Sequence, residues 1–311
     1  MLALDIGGTK LAAGVVDASG HVHSFLVEPS HAEAGPDDTL RRLFALGRRA
    51  VEESQISRPE LQAVGIGCGG PLDADRGVLI APPHLPGFID VPVAALAQEA
   101  FDLPVTLEND ATAAAAGEHR WGVGVGVRNM VYLTISTGVG GGVVIDGSLY
   151  RGAHGNGGEL GHVTVDWHGR PCRGCGRRGC LEAYVSGTSI AERAQEAGLA
   201  YATAAEAAEG ARSGEPGALR IWEETVEALS CGLTSIVNLF EPELVVLGGG
   251  VTRSRELLIE PVRRGVRAGA MRPVADVVDV VVSAFGDSVG VVGAAAIVYD
   301  RAALEDTQPN G

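Results

Sequence analysis

Leu2-Ala-Leu-Asp-Ile-Gly-Gly-Thr-Lys10-Leu-Ala-Ala-Gly-Val-Val16 reads as two apolar strands, Leu2–Ile6 and Leu11–Val16, joined by a turn built on paired glycines. A glycine turn between two strands differs from a Rossmann fingerprint or a Walker loop, both of which lead into a helix. Residues 129–147 repeat the design. There a strand, Met130–Ile135, meets a Thr-Gly-rich turn and a second strand, Gly142–Ile145, before Asp146-Gly147. Two such hairpins on either side of a helical middle predict a duplicated α/β architecture with facing phosphate loops.

The turns themselves suggest a ligand. Successive glycines bare backbone N–H groups to an anion, and Thr9 and Lys10 add a hydroxyl and a positive charge. Asp5, at the strand's end, can hold a Mg²⁺ hydration shell, because Mg²⁺ keeps its waters and accepts few carboxylates. A tight hairpin with a salt-bridged Lys is the plainer alternative. The second loop, Ser136-Thr-Gly-Val-Gly-Gly-Gly142, on a matching hairpin, favours the phosphate reading.

Working outward, the remaining pattern alternates α and β. A helix is expected over Asp37–Ser54, strands over Ala63–Cys68 and Val105–Glu108, and an Ala-rich helix over Ala111–Trp121. From about Gly187 through Phe240 the chain turns helical. Leu219, Trp222, Val226, Leu229, Leu233, Ile236, Val237 and Phe240 stand at helical spacing there, as a core-facing stripe. Strand Leu244–Leu247 leads into Gly248-Gly249-Gly250; a helix, a strand over Val277–Ser283 and a helix from Val289 follow. Gln308–Gly311 reads as a frayed tail.

Glu108-Asn109-Asp110 follows a short strand and opens a helix. Asp110 can serve as a simple N-cap. If Thr112 caps instead, Asp110 is free as a base for a hydroxyl attacking a γ-phosphoryl group, and Asn109 adds a donor and an acceptor suited to sugar hydroxyls.

Between Gly158-Glu-Leu-Gly-His162 and Cys172-Arg-Gly-Cys-Gly-Arg-Arg-Gly-Cys-Leu-Glu182 lie one imidazole and three thiols. His162, Cys172, Cys175 and Cys180 have the ligand count of a closed tetrahedral zinc site. With one ring nitrogen on the metal, the other nitrogen of His162 is aimed at a ligand. Glu159 and Glu182 bracket the cluster and are free to meet something else. Arg170, Arg173, Arg177 and Arg178 read as a solvated loop surface, since a nucleic-acid ribbon needs two zinc knuckles and this chain has one. Cys68 and Cys231 lie in apolar stretches and are expected to be buried thiols.

Bulk properties bound the partners. At 311 residues two domains are the default. A net charge of −15 argues against nucleic acid or an anionic membrane as the main partner. Asp5 and Lys10 interrupt any signal peptide, and no apolar run approaches spanning length. Thiols without a disulfide framework point to a reducing compartment, the cytoplasm.

Together these motifs resemble the ROK family of sugar kinases over essentially the whole chain. Asp5–Lys10 looks like the family's first phosphate motif, and Gly65-Ile-Gly-Cys-Gly-Gly-Pro-Leu-Asp73 like its sugar-side loop. Glu108–Ala113 matches the catalytic motif, Ser136–Gly142 the second phosphate loop and Gly248–Val251 the adenosine-side turn. Segment 158–182 is similar to its Gly-Glu-x-Gly-His signature and cysteine-rich stretch. Three departures stand out. Two residues, not one, separate Cys172 and Cys175; Thr112 replaces a second Asn; and Pro83-His-Leu-Pro-Gly-Phe88 carries His84 and Phe88 where glucokinase members have Asn and Trp, in a stretch near the sugar.

The resemblance implies an actin-like, ribonuclease H-like ATPase fold, with an active-site cleft between two lobes. A small lobe of residues 1–115 would be completed by a C-terminal helix over 290–311, and a large lobe would span 116–289. ATP would be held by Asp5, Gly7, Gly8, Thr9, Lys10, Thr137, Gly138, Gly249 and Gly250. The sugar would meet Gly70, Asn109, Asp110, Glu159, His162 and Glu182, with Asp110 as base. Mg²⁺ would accompany ATP, and a structural Zn²⁺ would sit on His162, Cys172, Cys175 and Cys180. The implied activity is glucose to glucose 6-phosphate at the head of glycolysis, in a homodimer or homotetramer. Alternatives are N-acetylglucosamine, N-acetylmannosamine or another hexose as acceptor, polyphosphate as donor, or a non-catalytic sugar-sensing regulator. The regulators carry a helix-turn-helix ahead of the first phosphate motif, which begins here at residue 5.

Overall fold

The computed structural model describes residues 1–306, so Gln308–Gly311 lies outside the described residues. The chain divides into two compact units. The first comprises Met1–Gly126, Leu149–Gly158 and the chain from Ala284 onward; the second comprises Val127–Ser148 and Glu159–Ser283.

In the first unit, β1 (Leu2–Ile6), β2 (Lys10–Val16) and β3 (Val22–Pro29) form an antiparallel meander, followed by α1 (Pro36–Ser54) and β4 (Val64–Cys68). A small hairpin, β5 (Leu72–Asp73) and β6 (Val78–Leu79), leads to α2 (Val93–Phe101), β7 (Val105–Asn109) and α3 (Asp110–Trp121). The C-terminal helix, Val289–Asp306, belongs to this unit. The sheet order is β3-β2-β1-β4-β7, with β1, β4 and β7 parallel.

This sheet is covered on both faces by different chemistry. Leu2, Leu4 and Ile6 of β1 pack with Leu43 and Leu46 of α1 and Phe101 of α2. The opposite face, with Ala3, Ala12 and Ala63, meets α3 and the C-terminal helix through Ala113, Ala116, Val291, Ala294 and Ala295. Small residues are required there because backbones nearly touch. A Cβ added to Gly65 of β4 would lie 1.7 Å from the Ala294 carbonyl oxygen. One added to Gly293 would lie 2.5 Å from the Ala113 carbonyl carbon. The Ala-rich composition of α3 is therefore a packing requirement as well as a helix preference.

In the second unit, β8 (Met130–Ile135), β9 (Val139–Ile145) and β10 (Ser148–Leu149) precede the cysteine-rich segment. Then come α4 (Glu182–Val185), α5 (Gly187–Glu196), α6 (Ala204–Arg212) and α7 (Pro216–Phe240). β11 (Leu244–Gly248), α8 (Arg255–Gly269), α9 (Val274–Val277) and β12 (Asp279–Val282) complete the unit. Its sheet order, β10-β9-β8-β11-β12, repeats the first sheet's order element for element. The duplication anticipated from the two glycine hairpins is present in both topology and strand sense.

Several boundaries differ from expectation. β9 begins at Val139, so Gly140, Gly141 and Gly142 are ladder residues opposite Thr134, Leu133 and Tyr132 rather than loop, and only 136–138 turns. A lobe boundary at 115 would cut α3, which continues to Trp121. Val277 and Val278, read as the start of a strand, are the last residue of helix Val274–Val277 and its cap, and β12 starts at Asp279. On α7 Trp222, Leu229, Leu233, Ile236 and Val237 of the stripe are buried and Val226 is half-buried, but Leu219 is exposed. Cys231, expected inside, is exposed. It lies two residues from both Leu229 and Leu233, about 200° around the helix from each, so burying them turns Cys231 outward. Cys68 is buried as expected.

Candidate functional site

Parallel pairing in the first unit sets three strand ends side by side: Asp5 opposite Gly67, Gly67 opposite Glu108, and Cys68 opposite Asn109. Ligands in open α/β sheets bind beyond such carboxyl ends. The β1–β2 turn begins there, closed by a hydrogen bond from Gly7 N–H to the Lys10 carbonyl. Ser30 Oγ donates to the Gly8 carbonyl at 2.6 Å and steadies the turn from β3. Thr9 and Lys10 are exposed. The hydrogen bonds and ion pairs among the described residues give the Lys10 ammonium no carboxylate partner, so the salt-bridged hairpin is not what forms.

Asp110 is the first residue of α3. The helix is capped not by Thr112, which is buried, but by Asn109, whose Oδ1 accepts from the N–H groups of Ala111 and Thr112. The expectation that Thr112 caps is thus corrected, with the same consequence: Asp110 is spared from capping. Its Oδ1 accepts from Ala111 N–H at 2.8 Å, which fixes the carboxyl and leaves Oδ2 for another proton. Capping commits Asn109 Oδ1, so its amide nitrogen is the group that can reach a hydroxyl. Burial pushes the Asp110 carboxyl above its ordinary range, while the charge of His84 pulls the other way. Asp5 is pushed up to about 7, first by burial and then by the charge of Asp110, with Lys10 opposing.

Sequence reasoning missed the brace behind this pair. Buried Glu108 accepts from Arg151 Nε at 2.6 Å and from Asn109 N–H at 3.0 Å. Strand 105–109 is thereby tied to residues 149–158, a link across 43 positions with no local signal. Gly70, in the sugar-side loop, precedes a cis peptide bond to Pro71.

In the second unit the four soft donors converge. The ligand atoms of His162, Cys172, Cys175 and Cys180 all lie within 4.8 Å of one another. Cys175 Sγ is 3.5 Å from Cys180 Sγ, and Cys172 Sγ is 3.7 Å from His162 Nδ1. Tetrahedral zinc with ~2.3 Å Zn–S bonds has edges of about 3.8 Å, so one metal ion fits. The extra residue between Cys172 and Cys175 is accommodated without displacing Cys172. Gly174 sits where a Cβ would lie 2.6 Å from Glu182 Oε1, and Gly176 N–H closes the turn onto the Cys172 carbonyl. With Nδ1 turned to the cluster, His162 Nε2 faces Glu159 Oε2 at 3.9 Å.

Glu182 is more engaged than expected. Its Oε2 accepts from Val139 N–H at 3.0 Å and its Oε1 lies 3.3 Å from Cys172 Sγ. It ties the start of β9 to the metal cluster and keeps its remaining lone pairs for a hydroxyl. The arginines of this loop pair with helix α5, Arg170 with Glu196 and Arg173 with Glu192, as a solvated surface would.

The second phosphate turn borders a cavity of about 760 Å³. Ser136 and Thr137 line one side and Gly250 and Val251 another, so the second loop and the turn after β11 share one space. Gly249 (φ 86°) takes a left-handed turn over β8, where a Cβ would lie 2.4 Å from the Ile135 carbonyl oxygen. Gly187 N–H donates to the Ser136 carbonyl and Thr188 Oγ1 to the Thr137 carbonyl, fixing the loop from α5. Arg212, Trp222 and Arg253 complete the wall; Trp222 was expected only as a core residue, and the two arginines carry no local signal.

The ROK family model matches residues 1–301. The glucokinase of Thermotoga maritima is 35% identical over 315 residues, covering 97% of this chain and 98% of that one. Among solved structures, the ROK hexokinase from Thermus thermophilus is 38% identical with a TM-score of 0.82, covering 98% of this chain and 99% of its own. A ROK family glucokinase from Streptomyces griseus, in complex with glucose and AMPPNP, is 31% identical with a TM-score of 0.84, covering 96% and 98%. The fold is the actin-like α/β fold of these kinases, with two lobes.

Proposed function

This chain belongs to the ROK family, and from that premise we propose that it transfers the γ-phosphoryl group of ATP to the 6-hydroxyl of glucose. It is an ATP-dependent hexose kinase. The observation that carries the reading is Asp110: a carboxylate spared from capping, fixed through one oxygen, and raised above its ordinary range by burial, as suits a general base.

In this reading Asp110 takes the hydroxyl proton as the oxygen attacks phosphorus. Positioning and charge neutralisation do the rest, because phosphoryl transfer needs little covalent help. Gly8 N–H, the Thr9 hydroxyl and the Lys10 ammonium receive phosphate oxygens, while Gly7, its N–H committed to the turn, lets the backbone come close. Thr137, Gly138, Gly249 and Gly250 receive the remainder of the nucleotide. Mg²⁺ would sit beside Asp5, whose carboxyl is raised first by burial and then by the charge of Asp110; the ion would offset phosphate charge. Gly70, Asn109, Glu159, His162 and Glu182 hold the sugar hydroxyls, Asn109 through its amide and His162 through Nε2. Zn²⁺ suits the one-nitrogen, three-sulfur donor set of His162, Cys172, Cys175 and Cys180, where it stiffens the loop and fixes the imidazole.

No helix among the described residues is long and apolar enough to cross a membrane. We place the enzyme in the cytoplasm, where ATP is made and thiols stay reduced, as a homodimer or homotetramer that light scattering would size.

A coupled assay with ATP or polyphosphate across glucose, mannose, fructose, N-acetylglucosamine and N-acetylmannosamine tests donor and acceptor together. Glucose with ATP should give the highest kcat/KM. Asp110→Asn should lower kcat by about 10²–10⁴ with KM for sugar little changed. Near-normal turnover in that variant would remove Asp110 from the mechanism.

A further inference from the structure

The geometry points to His84 as a specificity-determining residue that hydrogen-bonds the sugar hydroxyl next to the phosphoryl acceptor, the 4-hydroxyl of a hexose phosphorylated at O6. The inference rests on the assignment of Asp110 as the base.

Gly67 and Gly69 occupy alternate positions at and just beyond the end of β4, so they bare one face of the chain. A Cβ at Gly67 would lie 3.8 Å from Asp110 Cα and 3.7 Å from Asp5 Oδ1. A Cβ at Gly69 would lie 2.5 Å from His84 Cε1 and 3.0 Å from His84 Nε2. The imidazole therefore lies against the same glycine-bared face as Asp110, about two residues further along it, or roughly 7 Å. A group so placed reaches past the acceptor oxygen on C6 to the substituents of the ring carbons beyond it. C5 carries only the ring oxygen, so the nearest hydroxyl is the one on C4.

The ring is held in position. A Cβ at Gly8, in the first phosphate turn, would lie 2.7 Å from the His84 carbonyl oxygen, so that turn packs on the His84 backbone. Leu85 and Phe88, both fully buried, anchor the segment on its other side. Neither ring nitrogen has a hydrogen-bond partner among the described residues, although the ring is half-buried. Burial also holds His84 below its usual pKa against the pull of Asp110. The other ionisable groups at this strand end are Asp5, Lys10 and Cys68. A neutral imidazole offers one donor and one acceptor, which matches a hydroxyl in a way that the acceptor-only carboxylates cannot.

The test deletes the hydroxyl and the imidazole separately and together. kcat/KM is measured for glucose, 3-deoxyglucose and 4-deoxyglucose with the wild-type enzyme, His84→Ala and His84→Asn; if another hexose is preferred, its deoxy analogues are used. In the wild type, loss of the 4-hydroxyl should cost about tenfold. In His84→Ala that penalty should shrink to under about threefold, with the 3-deoxy penalty unchanged. His84→Asn, whose amide keeps a donor and an acceptor, should recover most of the 4-hydroxyl penalty and guards against a folding defect in the Ala variant. An undiminished 4-deoxy penalty in His84→Ala, or a change in the 3-deoxy penalty instead, overturns the assignment. Loss of turnover in Asp110→Asn alongside that result would leave the base intact and remove His84 alone.

Discussion

Replacing Asp5 with Asn should stabilise the unliganded protein at pH 8 and do little at pH 5. Burial and the neighbouring Asp110 charge push the Asp5 carboxyl from 3.8 up to about 7. The folded state thus binds this proton more tightly than the unfolded chain. Stability is lost as pH rises from about 4 through 7, and the full cost stands above that window. About three pH units at 1.36 kcal/mol each bound the cost near 4 kcal/mol. Asp5 is only half-buried, so solvent screening reduces the figure to about 1–2 kcal/mol. At roughly 2–4 °C per kcal/mol, Asp5→Asn should raise the Tm at pH 8 by about 2–8 °C. Thermal unfolding of both proteins at pH 5 and pH 8, without nucleotide or Mg²⁺, makes the comparison. A Tm difference that is the same at the two pH values, or a loss of stability at pH 8, would refute the reasoning. The same variant should be a poor kinase, because the charge that costs stability is the one Mg²⁺ answers.

Two further outcomes can be checked directly. Gly65→Ala should destabilise the protein by about 3 kcal/mol or more in denaturant unfolding, since its methyl group would meet the Ala294 carbonyl backbone rather than a movable side chain. Metal analysis of protein purified without chelator should find about one zinc per chain. Cys180→Ser should bind less than half of that and melt earlier, and a full complement of zinc in the variant would count against the four-donor site.

Much of this was legible because the signals were local. The bounds of β1 and β8 follow from apolar runs ending at paired turn residues, and the repeated hairpin announces a repeated sheet. The four metal donors could be read from their spacing alone, and Asp110 from its place after a strand. What escaped depends on contacts distant in sequence. Three consecutive glycines look like loop until β8 is there to pair with them as strand. Asn109 and Thr112 are both acceptable caps by residue type, and only the helix start decides between them. Glu182 was read as a free carboxylate, yet the nearby start of β9 claims one of its oxygens. Cys231 looked buried because its neighbours are apolar, whereas helical phase points it the other way. The Glu108–Arg151 pair could not be found from either residue's surroundings in the chain.

The last helix has a consequence for how the protein is made. Asp110 stands on α3, whose inner surface is closed by Gly293 and Ile297, residues made only after the whole of the second unit. About 150 residues of the second unit intervene, which a ribosome needs on the order of ten seconds to add. Throughout that delay the alanine-lined side of β1 and β4 lacks the part of its cover that the last helix supplies, and α3 lacks the surface it packs against. The catalytic half of this enzyme therefore closes only after the second unit has been made, and its nascent form exposes apolar surface in the interval.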